Sequence, residues 1–308
     1  MEKFIKYMEN NNHAKATQKA YLRCVKLFLI WVKKEEIQVT KPDILHYLEY
    51  LKNRKGQQNA TRQNNLYALN HYFTFLYQEK QIAENPCLFL KMRGTKLKKL
   101  HNLYTDEELS ELYDNYYNVY VRGFQTNKYF GKATEEYIQL TRARNLVALG
   151  IFVYQGTLAN ELKNIKLSDI DLQKATIKLQ SNKRAKERIL PLNAAQIGSL
   201  INYIQNIKPK LEMSYQTMEY EDFLFSVENQ NFKDVVGYII KQVKTIDRKF
   251  KHFYQIRTSV ITNWLKTQGL RKTQYLAGHR CIGTTERYLP NNLENLIDDI
   301  NNMHPFNL

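Results

Sequence analysis

Apolar residues at helical spacing dominate the first third of the chain. In "ATQKAYLRCVKLFLIWVKK" they recur one turn apart, at Tyr21, Val25, Phe28 and Val32. Thr17 is the N-cap that this pattern predicts. Two further helices are predicted: one begins near Pro42 and stops at Gly56, and one spans "ATRQNNLYALNHYFTFLYQEKQI". The helical pattern then ends at Asn85-Pro86, because a residue that precedes proline is disfavoured in a helix.

A basic stretch without a strong apolar stripe, "MRGTKLKKLHNLY", follows the helical third. It predicts a linker over residues 93–103, and hence domains at 1–92 and 104–308. The second domain opens on "TDEELSELYDNYY", where Thr105 and Glu108 have the spacing of a capping box.

The second domain mixes helical patterns with one alternating pattern. Residues 121–137, with two glycines and many polar residues, are predicted to form a loop or insertion. "ARNLVALGIFVYQGTLANELKNI" predicts a buried helix that breaks near Gly156. "ATIKLQSNKRAKERILPL" alternates on both sides of a polar tip, which is typical of a β-hairpin. Amphipathic helices are predicted in "NFKDVVGYIIKQVKTI", "RTSVITNWLKTQG" and the tail "NLENLIDDINNMHPFNL". The expected fold is therefore mainly α, with a small antiparallel β-sheet in the second domain.

Charge separates the two predicted domains. The net charge is +16, and residues 1–100 contain 19 Lys+Arg against 8 Asp+Glu, whereas the remaining 208 contain 27 against 22. A basic domain beside a nearly balanced one favours nucleic-acid binding over uniform solubilising charge. The alternative is a lysine-rich surface that arises from compositional bias.

Several classes of protein are disfavoured. The chain has no run of about 18 apolar residues, so no membrane span is expected. Its start, "MEKFIKYMEN", is polar and does not resemble a secretory signal. The three cysteines, Cys24, Cys87 and Cys281, lack paired spacing, which argues against a disulfide framework or a zinc site and fits a reducing cytoplasm.

Candidate chemistry lies near the C-terminus, in "YLAGHRCIGTTERYLP". Tyr288 follows His279 by nine residues, and Arg257 precedes that histidine by 22. Upstream, the tip of the predicted hairpin carries Lys183 and Lys186. Taken alone, Tyr288 is best interpreted as a packed aromatic, since the chain has 22 tyrosines. A lone histidine or arginine would likewise be structural, so the interpretation depends on the combined spacing.

This combination resembles the tyrosine recombinase (phage integrase) family. There an arginine-led helix, a Gly-His pair and a Thr-Thr segment before a tyrosine stand in the same order, downstream of a Lys-x-x-Lys-Glu-Arg hairpin. The segments "TQKAYLRCVKLFLIWV", "VTKPDI" and "ENPC" are similar to the helical core-binding (SAM-like) domain of that family. The resemblance covers almost the whole chain.

The resemblance implies a chemical role for each residue. Tyr288 would attack a DNA phosphodiester and form a covalent 3′-phosphotyrosine, which splits one hard step into two. Arg257 and His279 would stabilise the charged phosphate, and Tyr254 occupies a position where the family usually has a histidine. Lys183 would protonate the leaving 5′-oxygen. This chemistry needs no metal and no cofactor.

The resemblance also implies an assembly and a setting. The two domains would form a C-shaped clamp around double-stranded DNA. Two protomers would bind each site, and a tetrameric synapse would carry out integration, excision, inversion or transposition of a mobile element. A cytoplasmic, bacterial nucleoid-associated protein is expected, with no membrane partner.

One departure from the family pattern bears on activity. The first arginine of the family normally lies in a segment that "QGTLANELKNIKLSDI" matches, and Leu158 stands in its place. Candidate substitute cations are Arg280, Lys163 and Lys186, with Lys166, Arg142 and Arg144 as further ones. The alternative function is a catalytically weakened or inactive DNA-binding or architectural relative. A relaxing enzyme of the type IB topoisomerase kind shares the chemistry, but the core-binding resemblance argues against it.

Basic residues in 52–62 and 91–99 are expected to contact the DNA backbone, and binding should depend on salt. The candidates singled out among them are Arg54, Lys55, Arg62, Arg93, Lys96, Lys98 and Lys99.

Overall fold

The computed structural model describes residues 1–94, 102–123, 132–183, 185–213, 222–225 and 232–289. Contacts between Cα atoms divide the chain into two compact units, Met1–Lys99 and Leu100–Leu308. This division falls inside the segment predicted to be a linker. Each unit has its own cluster of buried apolar residues.

The described part of the first unit is helical. Its helices are α1 (Glu2–Asn10), α2 (Lys15–Val32), α3 (Lys41–Asn53) and α4 (Asn59–Gln78). Helix α2 packs against α3 and α4, with Phe28, Tyr47 and Phe73 in edge-to-face contact at the centre of the core. The predicted N-cap Thr17 is wrong, because α2 begins two residues earlier, after Ala14.

The described part of the second unit is also mainly helical. Its helices are α5 (Asp106–Tyr116), α6 (Lys132–Gln155), α7 (Ala159–Lys163), α8 (Ala194–Asn202), α9 (Lys208–Met213), α10 (Phe232–Ile246), α11 (Phe253–Ala277) and α12 (Ile282–Glu286). Helix α5 begins at the predicted capping box, in which the Glu108 amide donates to the Thr105 hydroxyl and the Thr105 amide donates to the Glu108 carboxylate. None of the helices in the described segments is long and apolar enough to cross a membrane.

The loop predicted over residues 121–137 is wrong at both ends. A π-helical turn continues from α5 through Arg122, and α6 begins at Lys132. Residues 124–131 lie outside the described residues. Helix α6 then runs through the core to the predicted break, where Gly156 has a φ of 56°.

The predicted hairpin is confirmed, and it belongs to a three-stranded antiparallel sheet. The strands are β1 (Ile170–Asp171), β2 (Thr176–Leu179) and β3 (Arg188–Pro191), in the order β1-β2-β3. In the register, Ile177 pairs with Leu190 and Leu179 pairs with Arg188. The two-residue strand β1 has too short a pattern to be read from the sequence.

Helix α11 returns on itself and so brings its two ends together. Gly269, with φ 71° and ψ 171°, interrupts the helical backbone. The helix after this glycine ends at Gly278, which has a φ of 70°, and the short α12 follows. The tail helix predicted after residue 290 lies outside the described residues.

Candidate active site

Arg257 lies at the centre of the site, in the second turn of α11. Phe253 holds the start of this helix in place, because its ring stacks on that of Phe152 of α6 with centroids 3.9 Å apart. The buried Arg257 guanidinium donates to the Gly156 carbonyl at 2.6 Å and to the Ala277 carbonyl at 2.8 Å. It therefore joins the break after α6 to the end of α11. These bonds use two of its five N–H groups, so donors remain for a phosphate.

A second buried arginine lies beside it. Arg188, on β3, has a side chain that is 0% exposed and forms a two-point ion pair with Glu161 at 2.8 and 3.2 Å. Burial alone would raise the pKa of Glu161. The hydrogen bonds from Arg188 and the charges of Arg188 and Arg257 outweigh it and hold that pKa below its usual range. Glu161 is thus an anion shared by two guanidinium groups, since Arg257 is 3.7 Å away.

The end of α11 fits closely around Arg188. The Arg188 Nε donates to the Leu276 carbonyl at 2.8 Å, one residue before the carbonyl that Arg257 binds. Carbonyls at a helix C-terminus lack intrahelical partners and carry partial negative charge, so two cations satisfy them. A Cβ at Gly278 would lie 2.6 Å from the Arg188 Nη1. Glycine is therefore required at position 278 for two reasons: the backbone there has a positive φ, and a Cβ would collide with the Arg188 guanidinium.

His279 is buried against the same cluster. Its Nδ1 lies 2.9 Å from the hydroxyl of Thr285, a residue of α12 that is itself fully buried. Burial, followed by the charges of Arg257 and Arg188, lowers the pKa of His279 to about 4. The imidazole is therefore neutral at pH 7, and it can donate or accept one hydrogen bond without carrying charge.

Tyr288 follows α12 and packs into the site. Its ring stacks on His279 with centroids 5.7 Å apart, and its side chain joins a small apolar cluster with Ile261, Leu265 and Ala277. Burial and then the Tyr254 phenol, a hydrogen-bonding partner, raise the pKa of Tyr288, while Arg257 lowers it. Tyr254 is 53% exposed. The phenol is thus held in the protonated state in the absence of DNA.

The hairpin tip is attached to the segment that carries His279. Ala185 forms an isolated antiparallel bridge with His279, and the Lys186 amide donates to the Gly278 carbonyl at 2.8 Å. The Arg280 guanidinium donates to the Asn182 carbonyl at 2.7 Å. The side chains of Lys183 and Lys186 are exposed on this tip.

Leu158 occupies a half-buried position beside the cluster. It is the N-cap of α7, and its amide donates to the Glu161 carboxylate at 2.9 Å. Lys163, the last residue of α7, is exposed, and Arg280 is bound to the hairpin. The buried cation nearest to Glu161 is instead Arg188, the arginine of the Lys-x-x-Lys-Glu-Arg hairpin, for which the sequence predicted no role of its own. Its signal was the alternation in β3, where residues 188 and 190 are buried and residues 189 and 191 are exposed.

The predicted DNA-contacting residues fall into three groups. Arg54, Lys55 and Arg93 are exposed in the first unit. Arg62 is buried and donates to the Leu48 carbonyl at 3.1 Å and to the Asn59 side chain at 2.7 Å, so its predicted contact with the DNA backbone is corrected to a structural role. Lys96, Lys98 and Lys99 lie outside the described residues.

A metal site is not evident in the described segments. There, three or more His, Cys, Asp or Glu side chains do not come together in a suitable geometry.

Two family models match the chain. The model of the phage integrase family matches residues 123–295, which hold all the residues of the site, and that of the phage integrase N-terminal SAM-like domain matches residues 1–83. The chain belongs to the phage integrase family.

Curated relatives are similar over almost their whole length. A tyrosine recombinase of Thermosipho africanus is 24% identical, with 94% of each chain covered. The XerC tyrosine recombinase of Anoxybacillus flavithermus is 27% identical, with 92% of this chain and 90% of that protein covered.

Solved structures of phage integrase family members have the same fold. XerH site-specific recombinase bound to its difH substrate, in a post-cleavage complex, has a TM-score of 0.66 at 20% identity, covering 94% of this chain and 80% of that one. A lambda integrase dimer bound to a core site has a TM-score of 0.65 at 15% identity, covering 93% of both chains.

Proposed function

We propose that this chain is a site-specific DNA recombinase that breaks and rejoins DNA through a covalent 3′-phosphotyrosine. The observation that carries the proposal is the meeting of Arg257, His279 and Tyr288 in one buried cluster. Arg257 comes from the start of α11, His279 is the residue after the C-cap of that helix, and Tyr288 is the residue after the C-cap of α12. A tyrosine with only a packing role would not need a buried arginine and a histidine beside it.

In the proposed reaction the Tyr288 oxygen attacks the phosphorus atom and the bond from phosphorus to the 5′-oxygen breaks. The phenolic proton leaves, with the neutral His279 as a nearby acceptor, and Lys183 donates a proton to the departing 5′-oxygen. The 5′-hydroxyl of a partner strand then reverses the step. The energy of the phosphodiester is retained in the phosphotyrosine, so rejoining needs no nucleotide.

The electrostatics of the site suit a phosphate. Because His279 is neutral at pH 7, the positive charge comes from Arg257 and Arg188, which together exceed the charge of Glu161 by one unit, and from the exposed hairpin lysines Lys183 and Lys186. A fixed guanidinium stabilises charge that develops on nonbridging oxygens, because its donors need no reorientation.

We also propose double-stranded DNA and further copies of the chain as the partners. The lambda integrase neighbours are a dimer on a core site and a tetramer on a Holliday junction, and the XerH neighbour is bound to its difH site. A dimer on each site and a tetrameric synapse follow by analogy. The excess of positive charge in residues 1–100 supports DNA binding.

The test is a suicide substrate, a duplex site nicked near the cleavage position so that the released fragment diffuses away. The wild type should give a protein–DNA adduct that survives SDS, and Tyr288→Phe should give none while binding DNA equally well. Tyr238→Phe is the matched control, because it removes an exposed phenol on α10 that is not a candidate site residue and keeps the nucleophile. If the wild type binds the site and gives no adduct, the proposed reaction is wrong.

The second candidate function is a DNA-binding relative without strand cleavage, and Leu158 is the observation that favours it. Loss of one strong donor to a transition-state phosphate typically costs about 10²–10³ in rate. The same assay separates the two functions, because the relative would shift DNA in a native gel and leave no adduct in SDS.

A further inference from the structure

Arg188 is a charged side chain that no solvent or DNA phosphate can reach in this structure. Its guanidinium is 0% exposed and is surrounded by Glu161, the Leu276 carbonyl and the Gly278 backbone. Burying a guanidinium is costly unless every donor is matched, and a buried pair is not in general a source of stability. Its place next to Arg257 therefore calls for an explanation other than stability.

The charges around Glu161 suggest that explanation. Glu161 lies within 2.8 Å of Arg188 and 3.7 Å of Arg257. With both arginines present, the three groups carry a net charge of one positive unit. Without Arg188, Glu161 would neutralise Arg257, and the cluster would offer no net positive charge to a phosphate. The effect is large here because buried charges interact strongly.

Arg188 is also the first residue of β3, directly after the hairpin tip that carries Lys183, where it pairs with Leu179. The tip is bound to the segment at Gly278 and His279 by backbone bonds, and Arg188 binds the carbonyl of Leu276 just before it. The Arg188 side chain thus connects strand β3 to the end of α11, where Arg257 binds the next carbonyl.

We propose that Arg188 is a positioning residue for strand cleavage: it neutralises Glu161, which leaves Arg257 charged and directed at the phosphate, and it anchors the lysine hairpin. The inference rests on the proposed function. At position 158 only the backbone amide binds Glu161, because leucine has no charged side chain, so neutralising this carboxylate falls to Arg188.

A double-mutant cycle that removes the two opposite charges tests the electrostatic part. Arg188→Met should lower single-turnover cleavage of the suicide substrate by about 100-fold, the scale of a misplaced catalytic group. Adding Glu161→Gln should restore at least about tenfold of this loss, because it removes the carboxylate that otherwise captures Arg257. Arg188→Lys keeps the charge without the two-point pair and should fall between the wild type and Arg188→Met. Rates are corrected for the folded fraction from thermal denaturation.

The pH dependence separates a positioning role from a purely structural one. In Arg188→Met, burial without its partner raises the pKa of Glu161, so acid neutralises the carboxylate. The ratio of the Arg188→Met rate to the wild-type rate should therefore rise as the pH falls. In the double variant the same ratio should be independent of pH. A ratio that stays constant for Arg188→Met would overturn the proposal.

A binding arm keeps this inference distinct from the proposed function. In a Tyr288→Phe background, Arg188→Met should weaken the affinity for the intact DNA site about three- to tenfold, and Glu161→Gln should restore it. Lys208→Met is the matched control, since it removes the buried cation of another ion pair, with the partly exposed Glu212 on α9. If the wild type fails to cleave but this pattern holds, the recombinase function is wrong and the positioning role stands. If the wild type cleaves and Glu161→Gln restores neither rate nor affinity, the positioning role is wrong.

Discussion

The ring of His279 stacks on the ring of Tyr288, with centroids 5.7 Å apart and planes inclined by 17°. This contact places the proposed nucleophile against a neutral imidazole, while the Arg257 guanidinium, a hydrogen-bonding partner of Tyr288, acts to lower the pKa of the phenol. Burial and the phenol of Tyr254 keep Tyr288 protonated. Activation of the phenol is therefore expected to depend on the arrival of the DNA phosphate and on the groups around it.

The first prediction concerns Tyr254. Tyr254→Phe removes a hydrogen bond to Tyr288 but little packing, since this side chain is 53% exposed. The cleavage rate should fall by about five- to tenfold, because one hydrogen bond of about 1–1.5 kcal/mol is lost, and the melting temperature should not change. Burst kinetics on the suicide substrate measure the rate. A complete loss of adduct would instead make Tyr254 indispensable to the chemistry.

The second prediction concerns the pH dependence of stability. The pKa of His279 is about 4 in the native protein, whereas an unfolded histidine has a pKa of about 6.5. Between these values the unfolded state binds a proton that the native state does not. Stability should therefore rise with pH across this window and fall as the pH drops from 6.5 towards 4.

Comparison with His279→Asn isolates this contribution. The gap in melting temperature between the variant and the wild type should shrink as the pH falls from 6.5 to 4.5, and should be constant above pH 7. A loss of 1 kcal/mol corresponds to about 2–4 °C for a domain of this size. A gap that does not vary with pH would contradict the lowered pKa.

The third prediction concerns the position that lacks an arginine. Leu158→Arg introduces a guanidinium three residues before Glu161, and the cleavage rate should rise at least about tenfold, since one such donor can contribute 10²–10³. Leu158→Met is the control, because it keeps the volume and adds no charge. If both variants cleave at the wild-type rate, another cation already occupies the place of the missing arginine.

The fourth prediction separates two roles of basic residues in the first unit. Exposed Arg54 and Lys55 are expected to contact phosphates, so replacing both by alanine should lower the slope of log K against log salt by about 2 and leave the melting temperature unchanged. Arg62→Ala should leave the salt slope unchanged and lower the melting temperature. Its side chain is buried with two internal hydrogen bonds, so its loss should cost about 1–3 kcal/mol of stability. Equal salt slopes for the wild type and the Arg54/Lys55 variant would remove these residues from the interface.

The fifth prediction concerns the glycine of the Gly-His pair. Gly278→Ala adds a Cβ 2.6 Å from Arg188 at a φ of 70°, so it should cost at least about 1–2 kcal/mol and lower cleavage. Gly237→Ala is the matched control in α10, where a Cβ meets nothing within 4 Å. It should stabilise the protein by about 0.5–1 kcal/mol. Equal melting temperatures for the two variants would show that the close approach to Arg188 has no energetic importance.

Features that depend on neighbouring residues could be predicted from the sequence. The capping box at Thr105 and Glu108, the helix break at Gly156 and the hairpin from β2 to β3 all lie where their patterns indicated them. The N-cap at Thr17 was wrong because several residues before it also suit a helix, and propensity sets helix ends only within a few residues. The loop over 121–137 was wrong because the polar residues at its two ends lie on helices.

The burial of individual charges could not be predicted in this way. Arg62 and Arg188 have the same chemistry as the exposed arginines around them, yet both are buried, and each binds one acceptor that lies 14 or more residues away. A local pattern contains no information about such distant partners. The family resemblance pointed to Arg257, His279 and Tyr288 because it follows an order along the chain. Arg188 is the arginine of the Lys-x-x-Lys-Glu-Arg hairpin, but that order does not show that its side chain is buried against Glu161.

The sequence by itself therefore determined the helices, the hairpin, the basic first third and the order of the candidate site residues, because each depends on spacing along the chain. Only the tertiary structure decided which charges share the site. The turn at Gly269 brings the end of α11 back to Arg257, and β3 places Arg188 against Glu161. Ionic interactions act through space over a few ångströms, and the fold alone sets those distances.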